Sequence, residues 1–328
     1  MDMHDLIDGF GKQLHNAVEI AKTIDFTPVR PIHNVLISGL GGSGIGGNIA
    51  CEIAQPETTL PIQVSKTYFI PAYVNESTLV IISSYSGNTE ETIHALELAY
   101  KTNAQIICIT SGGKIAEYAK KNGLTLISIP GGMPPRACLG FSLVQQLAVL
   151  HKIGCISQNP LPKINDAANY IIANKEAIVQ QGRHIASFIF NKFPILYTTT
   201  YNEGVAIRWR QQINENSKQL CSHHVVPEMN HNELVGWRKK DDGLAVLFLR
   251  TTTDYYRNNT RIEINKEVIQ KYTANVLDIY ANGDEVISQT IHLIHLGDWV
   301  SLYLAQLNEK DPIEIEVINY LKGELDKI

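Results

Sequence analysis

Apolar residues fall at Leu6, Phe10, Leu14, Val18 and Ala21, a spacing of three and four that predicts an amphipathic helix at the start of the chain. The pattern then changes. Short runs rich in Val and Ile, at Asn34–Ser38, Leu79–Ser83, Gln105–Thr110 and Thr125–Ile129, are bounded by Gly, Ser or Pro and predict strands. Between them, Ile45–Ile53, Glu90–Tyr100 and Lys114–Lys121 keep helical periodicity, and Phe141–Lys152 closes this half as a helix. Strands alternating with helices predict a parallel sheet covered on both faces. Residues 154–162 have linker chemistry, so a boundary between domains 1–153 and 154–328 is expected here.

The second half repeats the alternation more loosely. Strands are predicted at Pro194–Thr199, Leu220–Val226, Leu244–Arg250 and Val276–Tyr280. Helices are predicted at Glu203–Lys218, Ile262–Tyr272, Val286–Leu307 and Ile313–Leu325. The fold class is therefore α/β, with two mostly parallel sheets flanked by helices, the second a degenerate copy of the first.

Composition narrows the function. A net charge of −5 argues against a nucleic-acid or anionic-membrane partner, which would want a basic excess. The cysteines Cys51, Cys108, Cys138, Cys155 and Cys221 are scattered without a CxxC pair, the usage of a reducing compartment. The opening segment carries acids and histidines in place of a basic stretch followed by an apolar one, and no apolar run is long enough to span a bilayer. A cytoplasmic protein with a small ligand is expected.

Two turns carry the candidate chemistry. Gly39-Leu40-Gly41-Gly42-Ser43-Gly44 leads from the first strand into a helix, where backbone N–H groups and the helix dipole can hold an anion. The same glycines satisfy a dinucleotide fingerprint, but the acidic residue that fingerprint wants is missing from Gln63–Thr67. The strand ending at Ser83 runs into Ser84-Tyr85-Ser86-Gly87-Asn88-Thr89, hydroxyl-rich and again before a helix. Asn88 or Thr89 can cap that helix, which is compatible with anion binding. Both turns lie at the carboxyl ends of parallel strands, where such sheets bind ligands, and together they can surround one phosphate.

These turns resemble the phosphate-binding loops of sugar isomerase (SIS) domains. The resemblance extends to one family, the bifunctional phosphoglucose/phosphomannose isomerases, through Asp5–Ala21, Pro134–Ala137, Glu203–Lys218, Pro227–Glu233 and Tyr320–Lys322, and so covers nearly the whole chain. It implies two SIS-type domains and interconversion of glucose 6-phosphate, and also mannose 6-phosphate, with fructose 6-phosphate, without cofactor or metal. It implies that Gly41, Gly42, Ser43, Ser84, Ser86 and Thr89 hold the substrate phosphate. Glu215 matches the base that carries a proton between C2 and C1, His231 the ring-opening residue, and Arg136 the cation beside the enediolate. Lys322 matches a C-terminal lysine that assists ring opening or binds hydroxyls, although its approach, Asp311–Val317, is more acidic than expected of the family. A homodimer is implied, with an active site that draws His231 from the neighbouring subunit.

Two other readings remain. His223, His224, Glu228, His231 and Glu233 lie close in sequence and could ligate a divalent metal, but His223 and His224 are neighbours on a predicted strand and point to opposite faces, and the HExxH spacing is absent. A protein that only senses a phosphosugar would need the two turns, but not Glu215 and His231.

Overall fold

The computed structural model describes residues 2–325 and 327. The amphipathic opening forms two helices, α1 (Met3–Asp8) and α2 (Phe10–Lys22), because Gly9, a poor helix former, interrupts the predicted single one. Then follow β1 (Asn34–Ser38), α3 (Gly41–Ala54), β2 (Ile62–Ser65), β3 (Thr78–Ser83), α4 (Glu90–Lys101), β4 (Gln105–Thr110), α5 (Gly113–Lys121), β5 (Thr125–Ser128) and α6 (Leu139–Lys152). The five strands form one parallel sheet in the order β2-β1-β3-β4-β5. α3 starts four residues earlier than its periodicity predicts, taking the glycines into its first turn.

The expected linker is only partly one. Asn159 accepts a hydrogen bond from Leu161 N at 3.1 Å and caps α7 (Pro160–Ala173), with Pro160 in its first turn. Proline is well suited to that position, so Pro160 and Pro162 start a helix where they suggest a break. α8 (Lys175–Ile189) follows, and neither helix was expected. The second unit adds β6 (Phe193–Thr199), α9 (Glu203–Ser217), β7 (Ser222–Val226), β8 (Leu244–Arg250), α10 (Tyr256–Ile269), β9 (Val276–Tyr280), α11 (Val286–Leu307) and α12 (Glu316–Leu325). Its parallel sheet runs β7-β6-β8-β9, the order of the first four strands of the first sheet.

Successive residues of a strand face opposite sides of the sheet, and the apolar clusters follow that rule. Val35 and Ile37 join the central core, whereas Leu36 joins an outer cluster with residues of α4 and α5. In the second unit Leu196 faces the same central core and Tyr197 an outer cluster beside α10. The helices α2, α3, α6, α7, α8, α9 and α11 thus share one apolar layer between the two sheets.

α3 and α9 pack tightly at Gly204, where a Cβ would lie 2.8 Å from the Ile49 side chain. Beside that contact the Glu52 carboxylate accepts a hydrogen bond from Gly204 N at 2.7 Å, in the first turn of α9. Burial raises the Glu52 pKa to about 8; Glu203 adds to the rise, while the Gly204 N–H and Lys66 oppose it. Neutral Glu52 is therefore preferred in the fold, while the unfolded side chain ionises near 4.5. The stability this preference supplies is complete below the unfolded pKa and is lost as pH rises through the folded one. Relative to Glu52→Gln, which keeps the acceptor but cannot ionise, the wild-type melting temperature should fall steadily between about pH 5 and pH 8. The buried histidines are common to both proteins, so melting curves of the pair isolate Glu52. Parallel curves across that interval would mean an ordinary carboxylate.

Candidate active site

The glycine turn after β1 and the hydroxyl turn after β3 lie side by side. Gly41 has φ +53°, a left-handed conformation that suits glycine. Gly42 packs against the backbone of a 3₁₀ turn, Pro135–Ala137, where a Cβ would sit 3.0 Å from Pro135 O. Ser43 Oγ accepts from Tyr85 N at 3.1 Å, linking the two turns. Ser84 Oγ and Thr89 Oγ1 are 3.0 Å apart, and Ser86 Oγ accepts from Asn88 N at 3.2 Å. Thr89 occupies the N-cap position of α4 but makes no side-chain cap, so the backbone donors of the first turn receive no bond from it. The Tyr85 hydroxyl accepts from Met133 N at 3.2 Å and joins the chain entering the Pro135–Ala137 turn.

Arg136, in that turn, is buried. Its Nε donates to Asn216 Oδ1 at 2.8 Å, and one terminal nitrogen donates to Ile313 O at 3.1 Å and to Pro312 O. A guanidinium has five N–H donors, so the two on the other terminal nitrogen remain. That nitrogen lies 3.8 Å from the Glu215 carboxylate. Burial lowers the Arg136 pKa and Glu215 opposes the fall, yet a guanidinium keeps its proton at any working pH.

Below Arg136 lies a polar network that sequence reading missed. Arg208 donates to Arg136 O at 2.6 Å and to both oxygens of Asp298 at 3.0 and 3.1 Å. Gln212 Nε2 donates to Asp298 at 2.8 Å. Asn216 Nδ2 donates to Ser301 Oγ at 2.9 Å, and that hydroxyl donates to Asp298 O. All are buried; burial pushes the Asp298 carboxyl up, against the pull of Arg208 and Gln212. The signal was available, since Arg208, Gln212 and Asn216 recur every four residues on one face of α9.

Two predicted residues lie elsewhere. α9 leads from the carboxyl end of β6 to the amino end of β7, so Glu215 sits at the amino ends of the second sheet. His231 is exposed in a short 3₁₀ turn, Glu228–His231, beyond the carboxyl end of β7. The five residues of β7 alone span about 16 Å. Within one chain, Glu215 and His231 therefore occupy opposite ends of the unit. Lys322 is exposed on α12, a helix without a buried residue. A cavity of about 470 Å³ opens between the end of α9 and the start of α12; it takes in Glu215 but no residue of the glycine or hydroxyl turn.

The histidine-rich segment does not converge. His223 lies 3.7 Å from Glu203, Glu228 accepts from Asn232 at 2.8 Å, and Glu233 accepts from the Tyr197 hydroxyl. Among the described residues the ligand-type side chains that do crowd together are the exposed Asp2, His4 and Asp5.

The second sheet has no open counterpart of the two turns. By strand order, Thr199 and Thr251 stand where the first sheet has Gly39 and Ser84. There the Asp254 carboxylate accepts from Thr199 Oγ1 at 2.6 Å and from Thr251 N at 3.0 Å, filling the place an anion would take.

Residues 32–151 match the SIS domain family model, and residues 178–325 match the bacterial phospho-glucose isomerase C-terminal SIS domain. A bifunctional phosphoglucose/phosphomannose isomerase of Caldicellulosiruptor bescii is 37% identical, over 99% of each chain. That of Aquifex aeolicus is 34% identical, again over 99% of each. The chain belongs to the bifunctional phosphoglucose/phosphomannose isomerase family. A solved tagatose-6-phosphate ketose/aldose isomerase from Escherichia coli shares the fold of this isomerase family member, with TM-score 0.74, 14% identity and 95% of each chain covered. No helix among the described residues is long and apolar enough to cross a membrane.

The Arg208–Asp298 pair lends itself to a direct test. Removing one partner of a buried ion pair leaves an uncompensated charge and costs about 3–5 kcal/mol. Asp298→Ala should lower the urea midpoint by a corresponding amount, with unchanged slope. A loss within 1 kcal/mol would mean that Arg208 finds other partners.

Proposed function

We propose that the protein interconverts glucose 6-phosphate and mannose 6-phosphate with fructose 6-phosphate, by ring opening and proton transfer through a cis-enediol. The observation that carries this reading is the free guanidinium nitrogen of Arg136 beside the Glu215 carboxylate, next to an anion cradle. A phosphosugar sensor would have no use for that pair. The cradle of Gly41, Gly42, Ser43, Ser84, Ser86 and Thr89 takes the phosphate through neutral donors. Glu215 then removes the proton from C2 and returns it to C1. Arg136 faces the charge that builds on the enediolate oxygens as a fixed cation, and its other donors are already committed, so it needs no reorganisation. The unit of residues 1–153 supplies the phosphate site and Arg136, and the unit of residues 154–328 the base.

Ring opening needs an acid–base group at the substrate, and an imidazole can both give and take a proton near neutral pH. The separation of Glu215 and His231 within a chain favours a homodimer in which His231 of the partner subunit completes the site. The family resemblance gives Lys322, exposed on α12, a part in ring opening or in binding the sugar hydroxyls. The substrates are small phosphosugars of the cytoplasm, and the reaction calls on neither metal nor redox cofactor because the guanidinium supplies the electrostatic role.

Glucose 6-phosphate and mannose 6-phosphate differ only at C2, which becomes planar in the enediol. Glu215→Gln should therefore depress both conversions together, by about 10²–10⁴-fold in kcat with little change in KM. Coupled assays starting from each sugar read this out. Retention of more than about a tenth of either activity would remove Glu215 from the base role. If mannose 6-phosphate proves to be neither substrate nor competitive inhibitor, the enzyme is specific for glucose.

The shared site makes a separate prediction. Glu215→Gln and His231→Ala proteins, each inactive alone, should regain activity when mixed under conditions of subunit exchange, since one composite site per heterodimer has both groups intact. No recovery despite exchange proven by mass spectrometry would put all the catalytic groups on one chain.

A further inference from the structure

Lys218 follows the last residue of α9 in a left-handed conformation, φ +52° and ψ +37°, where glycine is the usual occupant. Its side chain turns back toward the site. Nζ donates to Glu215 O at 2.6 Å, to Asp311 O at 2.8 Å and to Glu314 O at 2.8 Å. An ammonium has three N–H donors, so all of them end on backbone carbonyls. The Glu314 carboxylate lies 3.8 Å away.

Arg136 takes the two carbonyls in between, Pro312 O and Ile313 O. The carbonyl oxygens of four consecutive residues, 311–314, are thus held by two cations, and Glu215 lies between those cations. Beyond this strap α12 has no buried residue; Val317 and Ile318 face the end of α9 across the cavity beside Glu215.

We infer that Lys218 is a positioning residue for the reaction, gripping the strap 311–314 so that Arg136, Glu215 and the start of α12 keep one geometry. The inference rests on the isomerase reading of the site. Lys218 touches no reacting atom. It fixes the carbonyl of the residue that carries the base, and it fixes the strap against which the Arg136 guanidinium is aimed. A misplacement of about 1 Å in such groups can cost on the order of 10²-fold in rate.

Two variants separate this role from simple helix capping. Lys218→Gly removes the ammonium and suits the left-handed backbone, and Lys218→Met removes the ammonium while keeping an unbranched side chain. In both, kcat should fall about tenfold or more, with KM for the phosphosugar changed by less than about threefold, because the phosphate turns are untouched. Amide hydrogen exchange should quicken across 311–325 and stay unchanged in the first sheet. Lys218→Arg, which keeps charge and donors, should recover part of kcat and of the protection. Wild-type kcat in either folded variant overturns the inference, as does unchanged exchange in the strap. Failure of both variants to fold would make the grip a general stability element and equally overturn it. If the wild-type protein converts neither sugar, the isomerase reading fails instead, and the exchange experiment still decides whether Lys218 holds the strap.

Discussion

The buried pairing of Arg208 with Asp298 is the interaction on which the arrangement of the site depends. It joins α9 to α11, and through Arg136 O it joins both to the first unit. Taking two charges out of water is costly, and such pairs often contribute little net stability. Here Gln212 adds a donor to Asp298, and Asn216 and Ser301 extend the network, while Arg208 Nε and Gln212 Oε1 have no hydrogen-bond partner among the described residues. The pair therefore acts by excluding alternatives. Apolar faces alone would let α9 slide against α11 by a turn, whereas a buried ion pair in which one Arg208 nitrogen reaches both Asp298 oxygens, joined by Gln212, accepts one register. With that register set, Asn216 meets the Arg136 Nε and Glu215 meets the free terminal nitrogen.

The two units use one topology for different ends. In the first, glycines and hydroxyls leave a cradle open at the carboxyl ends of the strands. In the second, Asp254 occupies the corresponding place with its own carboxylate, and the opposite, amino-terminal end of the unit supplies Glu215. Copying the fold did not copy the site. The contact between Gly42 and the Pro135–Ala137 turn, and between that turn and α9, sets the carboxyl end of one sheet against the amino end of the other. One cradle and one acid–cation pair are the result.

Much of this was legible before any coordinates. Runs such as Leu79–Ser83 and Leu244–Arg250 are buried on both faces, and nearly continuous apolar strands of that kind mark a parallel sheet. The glycine and hydroxyl turns, each between a strand and a helix, lie side by side as their sequence led one to expect. β2 escaped because it is a short edge strand with a polar pattern, and α7 because its prolines read as punctuation. α10 began earlier than expected, since Tyr256–Arg261 carries mostly polar residues that hide the apolar period. Neighbours of Glu215 were hardest to foresee. Asp298 lies more than eighty residues from Arg208, and such pairings arise from tertiary packing, which local periodicity does not report.

The strap at 311–314 contributes main-chain oxygens, and every amino acid carries one. Single substitutions there exchange side chains while leaving the four acceptors in place, so the segment can drift in sequence without loss of its electrostatic duty. Inserting or deleting one residue would shift all four oxygens at once, so it is the length of the strap, more than its spelling, that selection must guard.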